Sequence, residues 1–487
     1  MSTTPSTFGA VWREPRGERS GEIAWLSRRS AIFVVLAVAL AIRLAMLAAS
    51  AGTGLEIVDE QHYHQLATSL ARGEGFAWGP SQPTSIRPPL YPMVVAAVWR
   101  VVGTDSVQAV RVTQVGFSLV AVWLLFLLGT QLFDRATATL AALAFALYPS
   151  LLFSGVLMLT EVLFIALLLA ALNLCVVLLN RPAWWAALGT GAAVGLAALT
   201  RSVLWPFPLV LVVFLGVALR LPIRDRVKLC GLVLLGFALV VAPWSARNTR
   251  LQGTFTVVDT MGGLNLLMGN YEYTPEDRMW DGVSLTGAKS WDEPLRRMPP
   301  PAGGWTEGTK DRWAQQRALA FMVANPLVTA RRSLLKFADL WGLERDWLAG
   351  IQKGYYHPPV WFAAVSGAAV LVAFPAILIA ALAGMLLATP TARHVHALLV
   401  VLILFVCAIH SVTFGHSRYH LPLMPVLMLY AAAAVRQRAF ILPRLRTRAA
   451  VAPVFAVSMA VLIWCREVLV RDAGHVASLI ELLRQGA

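Results

Sequence analysis

The stretch Asp59-Glu60-Gln61-His62-Tyr63-His64 sets two carboxylates and two imidazoles within six positions. A carboxylate here can serve as a general base, taking the proton of an attacking hydroxyl or amine. Partial desolvation beside a second carboxylate favours that role. Asp59 and Glu60 are therefore candidate catalytic residues. The pair also reads as the start of a solvated helix from about Gln61 to Arg72, with Asp59 as N-cap. Imidazole with carboxylate suits a divalent metal ion, so His62 and His64 are candidate ligands and such an ion a candidate cofactor. Their i, i+2 spacing points them to different helix faces, which argues against a shared ion.

Candidate anion-binding groups lie elsewhere in the chain. Arg87 precedes Pro88-Pro89-Leu90-Tyr91-Pro92, where a proline-started helix would add positive potential to a guanidinium able to grip two phosphate oxygens. The alternative is an arginine snorkelling to head groups. Arg43 lies inside an apolar run, where an arginine is costly unless paired, lining a polar cavity or snorkelling. Glu161 follows Thr160 at the start of another run, read either as a functional carboxylate or as a charge favoured by the helix dipole. His416-Ser417-Arg418-Tyr419-His420-Leu421-Pro422 opens a later run. Arg418 could hold phosphate charge there, and His420 could do so too or serve an acceptor or metal; a generic interfacial cluster is the other reading. Arg201 and Arg247 end two more runs and are lower-ranking phosphate partners.

The elements that must position these residues are membrane helices. Of 487 residues, 58% are hydrophobic and 14% charged, with a mean hydropathy of +0.66. Soluble domains run about 45–50% apolar and about 25% charged, so lipid must solvate most of this chain. The net charge of +15 is spread between apolar runs, which excludes a nucleic-acid face and suits loops held at an anionic leaflet. Cys175, Cys230, Cys407 and Cys465 lie in or beside apolar runs without metal-ligand spacing, and read as small packing residues. The N-terminal stretch lacks the pattern of a cleaved signal.

Apolar spans are expected near 31–50, 107–129, 136–155, 159–179, 183–200, 203–219, 229–246, 360–388, 395–414, 419–435 and 449–465. The predicted fold is an all-α polytopic membrane protein of about eleven transmembrane helices. Segment 88–102 is read as a membrane-edge helix with Pro88 or Pro89 in its first turn. Arg13, Arg16, Arg19, Arg28 and Arg29 precede the first span. Arg220, Arg224, Arg226 and Lys228 fill one later loop, and Arg436, Arg438, Arg444, Arg446 and Arg448 another. This bias puts the N-terminus on the cytoplasmic side and the candidate residues at the outer face. The expected division is a tail at 1–30 and a catalytic membrane module at 31–247, with its first outer loop at 51–106. An outer loop at 248–357 forms a small cap with helical patches near 313–323 and 331–341. Further membrane helices fill 358–470, before a short tail at 471–487.

Arg43, Asp59-Glu60, Tyr63, Ala67, Gly73, Gly75 and Arg87-Pro88-Pro89-Leu90-Tyr91-Pro92 together resemble the integral-membrane GT-C glycosyltransferases. The pattern is similar to bacterial relatives of protein O-mannosyltransferases and of lipid A aminoarabinose transferases. Thr160-Glu161, Thr200-Arg201, Gly262-Gly263 with Gly269-Asn270, Ser417-Arg418-Tyr419, Pro422 and Pro425 extend it. The resemblance implies a polyprenyl-phosphate sugar donor, an inverting single displacement and Asp59 as catalytic base, assisted by Glu60. It implies that Arg87 contacts the carrier phosphate and that Glu161 positions the acceptor or a metal. Many relatives carry a large soluble domain after the last span, where only 471–487 remain here.

The expected function is transfer of a hexosyl or pentosyl unit to a lipid-glycan, protein or envelope-polymer acceptor at the outer face of a bacterial cytoplasmic membrane. Its partners are donor, acceptor and membrane lipid, with no nucleic acid. A transporter or flippase of a lipid-linked saccharide is the alternative. Transporters place polar groups near the midplane on broken helices, whereas Asn173 and His410 are the minor exceptions to clean span interiors here.

Overall fold

A computed structural model describes residues 24–276, 279–301 and 303–472. Arg13, Arg16 and Arg19 of the expected cytoplasmic tail, and residues 473–487 of the C-terminal one, lie outside these. The described chain is all-helical, without a strand. By length and composition seven helices can cross a membrane: Ala31–Ala49, Val107–Leu132, Glu161–Asn180, Ile223–Gln252, Val360–Leu387, Arg393–Val412 and Arg448–Arg471. Two bent pairs raise that number to nine. Arg135–Leu147 and Pro149–Gly155 meet at 55°, where Pro149 lacks the N–H that would continue the helix. Ser417–Arg436 and Arg438–Arg444 meet at 85°. The two remaining expected spans are the shorter apolar helices Trp184–Ala198 and Ser202–Ala218.

Helices Val58–Ala71 and Leu90–Val102 follow the first span. Their apolar faces meet around Tyr63, Ala67, Tyr91, Val95 and Trp99, and pack on Met158, Leu159 and Leu163. This packing brings the start of Val58–Ala71 to the start of Glu161–Asn180. Leu90–Val102 begins with Pro89 at its N-cap, so the paired prolines stand just before the helix instead of in its first turn. Within 248–357 the main helices are Glu307–Ala324 and Pro326–Leu340, flanking Asn325-Pro326. A small core of Leu266, Leu267, Tyr271, Ala314 and Ala318 holds the first of them against Gly262–Gly269.

Two glycines let a pair of bundle helices approach closely. A Cβ on Gly191 would stand 1.9 Å from the Val233 carbonyl oxygen, and one on Gly236 would stand 2.1 Å from that of Leu188. In lipid, where apolar burial drives helices together weakly, such small-residue contacts supply the packing. The helix Ile223–Gln252 is thereby fixed against Trp184–Ala198. Its 30 residues cover about 45 Å at 1.5 Å per residue, so Arg224 and Arg247 lie at opposite ends. Gly236→Leu should overpack this contact and cost about 3 kcal/mol. A marked drop in melting temperature in detergent is expected, while Gly231→Leu, whose Cβ meets nothing within 4 Å, leaves it unchanged.

Candidate active site

Asp59 and Glu60 separate as soon as the helix Val58–Ala71 begins. Ile57 is the N-cap, which puts Asp59 inside the first turn instead of at the expected cap position. Glu60, at the third position, does the capping. Its Oε2 accepts from the backbone N–H of Ile57 at 3.2 Å and of Glu56 at 3.3 Å, and its Oε1 accepts from Met158 N–H at 2.8 Å. Glu60 is fully buried. Burial pushes its carboxyl up, while the three backbone donors, Met158 foremost, pull it down. Glu60 was expected beside Asp59 in the chemistry, but its oxygens are occupied by peptide groups. It ties the first loop to the Met158 turn and leaves Asp59 free to face the other way.

Asp59 faces two arginines from distant parts of the chain. Arg87 Nη2 donates to its Oδ1 at 2.8 Å, and Arg418 Nη1 donates to its Oδ2 at 3.1 Å. Arg418 also donates through Nε to Glu161 Oε1 at 2.5 Å, and Arg201 Nη1 lies 3.0 Å from the same oxygen. Asp59, Arg87, Glu161, Arg201 and Arg418 therefore form one chain of charges. Its floor, Glu161, is fully buried, whereas Asp59, Arg87 and Arg418 keep 21–25% of their side-chain surface exposed. The cluster is dry at its base and partly exposed at its Asp59 end. Tyr63 lies 5.9 Å below the Arg87 guanidinium, and Tyr419 lies 5.6 Å from that of Arg201.

His62 joins at the rim. Arg87 Nη2 is 3.0 Å from His62 Nδ1. A guanidinium only donates, so Nδ1 must be the unprotonated acceptor. Burial first, and then the Arg87 charge, hold this imidazole below its ordinary value, consistent with a neutral ring. Asp259, from the long loop, was not singled out in the sequence. It accepts from Met261 N–H at 3.3 Å and acts electrostatically on Arg87. Burial, with Asp311 nearby, pushes its carboxyl up to about 6. A lone aspartate in a polar loop carries no signal that would have marked it.

Other candidates go elsewhere. Arg43 stays within the bundle, donating to Ser118 Oγ at 2.5 Å and to the carbonyls of Ala146 and Ala39 at 3.1 and 3.2 Å. It is 6% exposed and makes no contact with the Asp59 cluster. His64 packs edge-on against Trp99, with ring centroids 5.0 Å apart. His420 is fully buried between Trp341 and Phe374, its nitrogens on Leu340 O at 2.6 Å and Glu344 Oε1 at 2.8 Å. Among the described residues no three His, Cys, Asp or Glu side chains group to hold a metal ion. Both Asp59 oxygens and Glu161 Oε1 face guanidiniums, whereas Glu161 Oε2 is buried without a hydrogen-bond partner.

Residues 86–245 match the family of dolichyl-phosphate-mannose-protein mannosyltransferases. Among solved structures, the chain is similar to the oligosaccharyltransferase of Archaeoglobus fulgidus. The apo form overlays with a TM-score of 0.51 and 15% identity, over 90% of this chain and 54% of that one. The form tethered to an acceptor peptide with the NVT sequon gives 0.50 and 14%, with the same coverage. ArnT from Cupriavidus metallidurans bound to undecaprenyl phosphate gives 0.38 and 15%, over 86% and 81%. Comparison with curated proteins gives no match. The chain spans about half the length of the oligosaccharyltransferase, and the likeness between them is one of fold.

Removing one partner of a buried ion pair costs about 3–5 kcal/mol, because the other charge stays buried. Arg418→Met should therefore lower the melting temperature clearly, and adding Glu161→Gln should restore more than half of the loss. For Asp259 the proton leaves near 3.8 in the unfolded chain and at about 6 in the fold. The fold holds the extra proton between those values, so this group's contribution to stability falls as pH rises from about 4 to 6, then stays level. Asp259→Asn should flatten that part of the stability profile in thermal unfolding between pH 4 and 7.

Proposed function

We propose that this chain, which carries the GT-C fold of integral-membrane glycosyltransferases, transfers a sugar from a polyprenyl-phosphate carrier to a nucleophile, with inversion at the anomeric carbon. The observation that carries the reading is Asp59 held between Arg87 and Arg418 at a dry-floored site whose Asp59 end is partly exposed. The matching family's description names a dolichyl-phosphate sugar, which supports a donor of that class. Arg87 and Arg418 take the carrier phosphate, exchanging one anion, Asp59, for another. This exchange uncovers Asp59 beside the acceptor.

The acceptor's oxygen or nitrogen then attacks the anomeric carbon as its proton passes to Asp59. The bond between that carbon and the phosphate oxygen breaks, and its electron pair leaves with the polyprenyl phosphate. Arg87 and Arg418 stabilise the charge that develops there. Glu161 and Arg201 hold Arg418 in place. No step is assigned to a metal ion, because the arginines take the charge a metal would take. Sugars of the hexosyl or pentosyl class suit this chemistry. The acceptor is a lipid glycan, protein or envelope polymer entering past the long loop.

The basic loop at Arg220–Lys228 lies at the far end of Ile223–Gln252 from Arg247. Positive-inside bias therefore supports the site lying on the non-cytoplasmic face, which in the bacterial cytoplasmic membrane of this reading is the periplasmic one. A flippase would explain the spans without chemistry and would consume no donor. Purified protein incubated with radiolabelled polyprenyl-phosphate sugar and an envelope-fraction acceptor separates the two. Asp59→Asn keeps the shape, removes the base and should lower turnover about 10²–10⁴-fold while the donor still binds. Near-wild-type transfer by that variant would refute the assignment.

A further inference from the structure

Arg87 can act only if its backbone is held, and the contacts that hold it come largely from the long loop. Ser85 and Thr84, just upstream, are both fully buried. Every polar group of Ser85 is engaged. Its N–H donates to Glu307 Oε2 at 2.7 Å, its carbonyl accepts from Thr260 N–H at 3.0 Å, and its hydroxyl donates to Asn248 Oδ1 at 3.0 Å. Thr84 Oγ1 donates to Glu307 Oε1 at 2.6 Å, and its carbonyl accepts from Arg247 Nη1, also at 2.6 Å. Downstream of Arg87, Leu90 N–H donates to Leu199 O at 3.0 Å. The arginine is pinned on both sides.

Among the described residues Glu307 is the one carboxyl group bonded directly to residues 84–85, and hydrogen bonds to a carboxylate are about twice as strong as neutral ones. It is the first residue of the helix Glu307–Ala324, yet it is not needed as that helix's cap. Thr306 Oγ1 and Thr309 Oγ1 satisfy the capping donors reciprocally. Both Glu307 oxygens instead reach more than 200 positions back along the chain. Gln252 seats the carboxylate, donating to Oε2 at 3.2 Å while its own Oε1 accepts from Gly308 N–H at 2.9 Å. A Cβ on Gly308 would stand 2.6 Å from Gln252 Cβ, so the helix start is closely seated there.

We infer that Glu307 is a positioning residue for the carrier-phosphate site: through Thr84 and Ser85 it fixes Arg87 against Asp59, keying the long-loop helix to the charge cluster. The inference rests on the reading of Arg87 as a phosphate-binding group. It assigns the long loop a part in donor binding as well as in acceptor entry.

The test is binding of undecaprenyl phosphate to the purified full chain in detergent, for wild type, Glu307→Ala, Arg87→Ala and the double variant, with melting temperature followed alongside. Glu307→Ala should weaken binding about tenfold in the wild-type background. It should weaken it less than about twofold when Arg87 is already alanine, because the residue it positions is gone. Glu307→Gln keeps one oxygen for Ser85 N–H and should lose less than Glu307→Ala. The same cycle run with Glu307→Gln decides the question if the alanine variant does not fold. An equal loss in both backgrounds, or no loss in folded Glu307→Ala, would overturn the positioning role. Undiminished binding by Arg87→Ala would instead overturn the phosphate-site reading on which it rests.

Discussion

Arg418 stands between two carboxylates, and most of the site's geometry follows from that. Its Nε is on Glu161 and its Nη1 on Asp59. Glu161 has no access to water, so a charge there requires compensation from Arg418 and Arg201. Asp59 must stay within reach of the same guanidinium. The turn before Ser417, the start of Glu161–Asn180 and the start of Val58–Ala71 therefore meet at one point. The apolar packing around Tyr63, Tyr91 and Met158 places two of those starts, and the charges fix the remainder.

The cluster is poised for exchange. Three guanidiniums meet two carboxylates, and the Asp259 carboxyl acts on Arg87 from the long loop. Asp59, the more exposed carboxylate, is the one that can be released, whereas Glu161 is held at the floor. The two carboxylates thus differ in burial and in their arginine partners.

Much of this was legible in the sequence, and the reason is physical. Asp59, Arg87, Glu161, Arg201 and Arg418 stand at the ends of apolar runs, on the side expected to be outer, where a functional and a structural reading both applied. What the sequence could not show is where a side chain points. Glu60 neighbours Asp59 but turns back to cap its own helix. His420 lies two positions from Arg418 yet is stacked in the core against Phe374. Arg43 found carbonyl partners inside the bundle, an outcome that periodicity cannot distinguish from a ligand site. Glu307, Asn248 and Asp259 were illegible for the opposite reason. Each is an ordinary polar residue whose role exists only through contacts made across the chain. The helices followed apolar runs closely, while Pro149 broke the expected continuous span 136–155; the 85° bend after Arg436 falls just beyond the expected span 419–435.

An experimental structure of the protein with a polyprenyl phosphate bound is the most direct test of the central claim. The phosphate should lie within hydrogen-bond distance of Arg87 and Arg418, with the Asp59 carboxylate released and facing the space beside it. A phosphate seated away from both arginines, with the pairs Asp59–Arg87 and Asp59–Arg418 intact, would contradict the account.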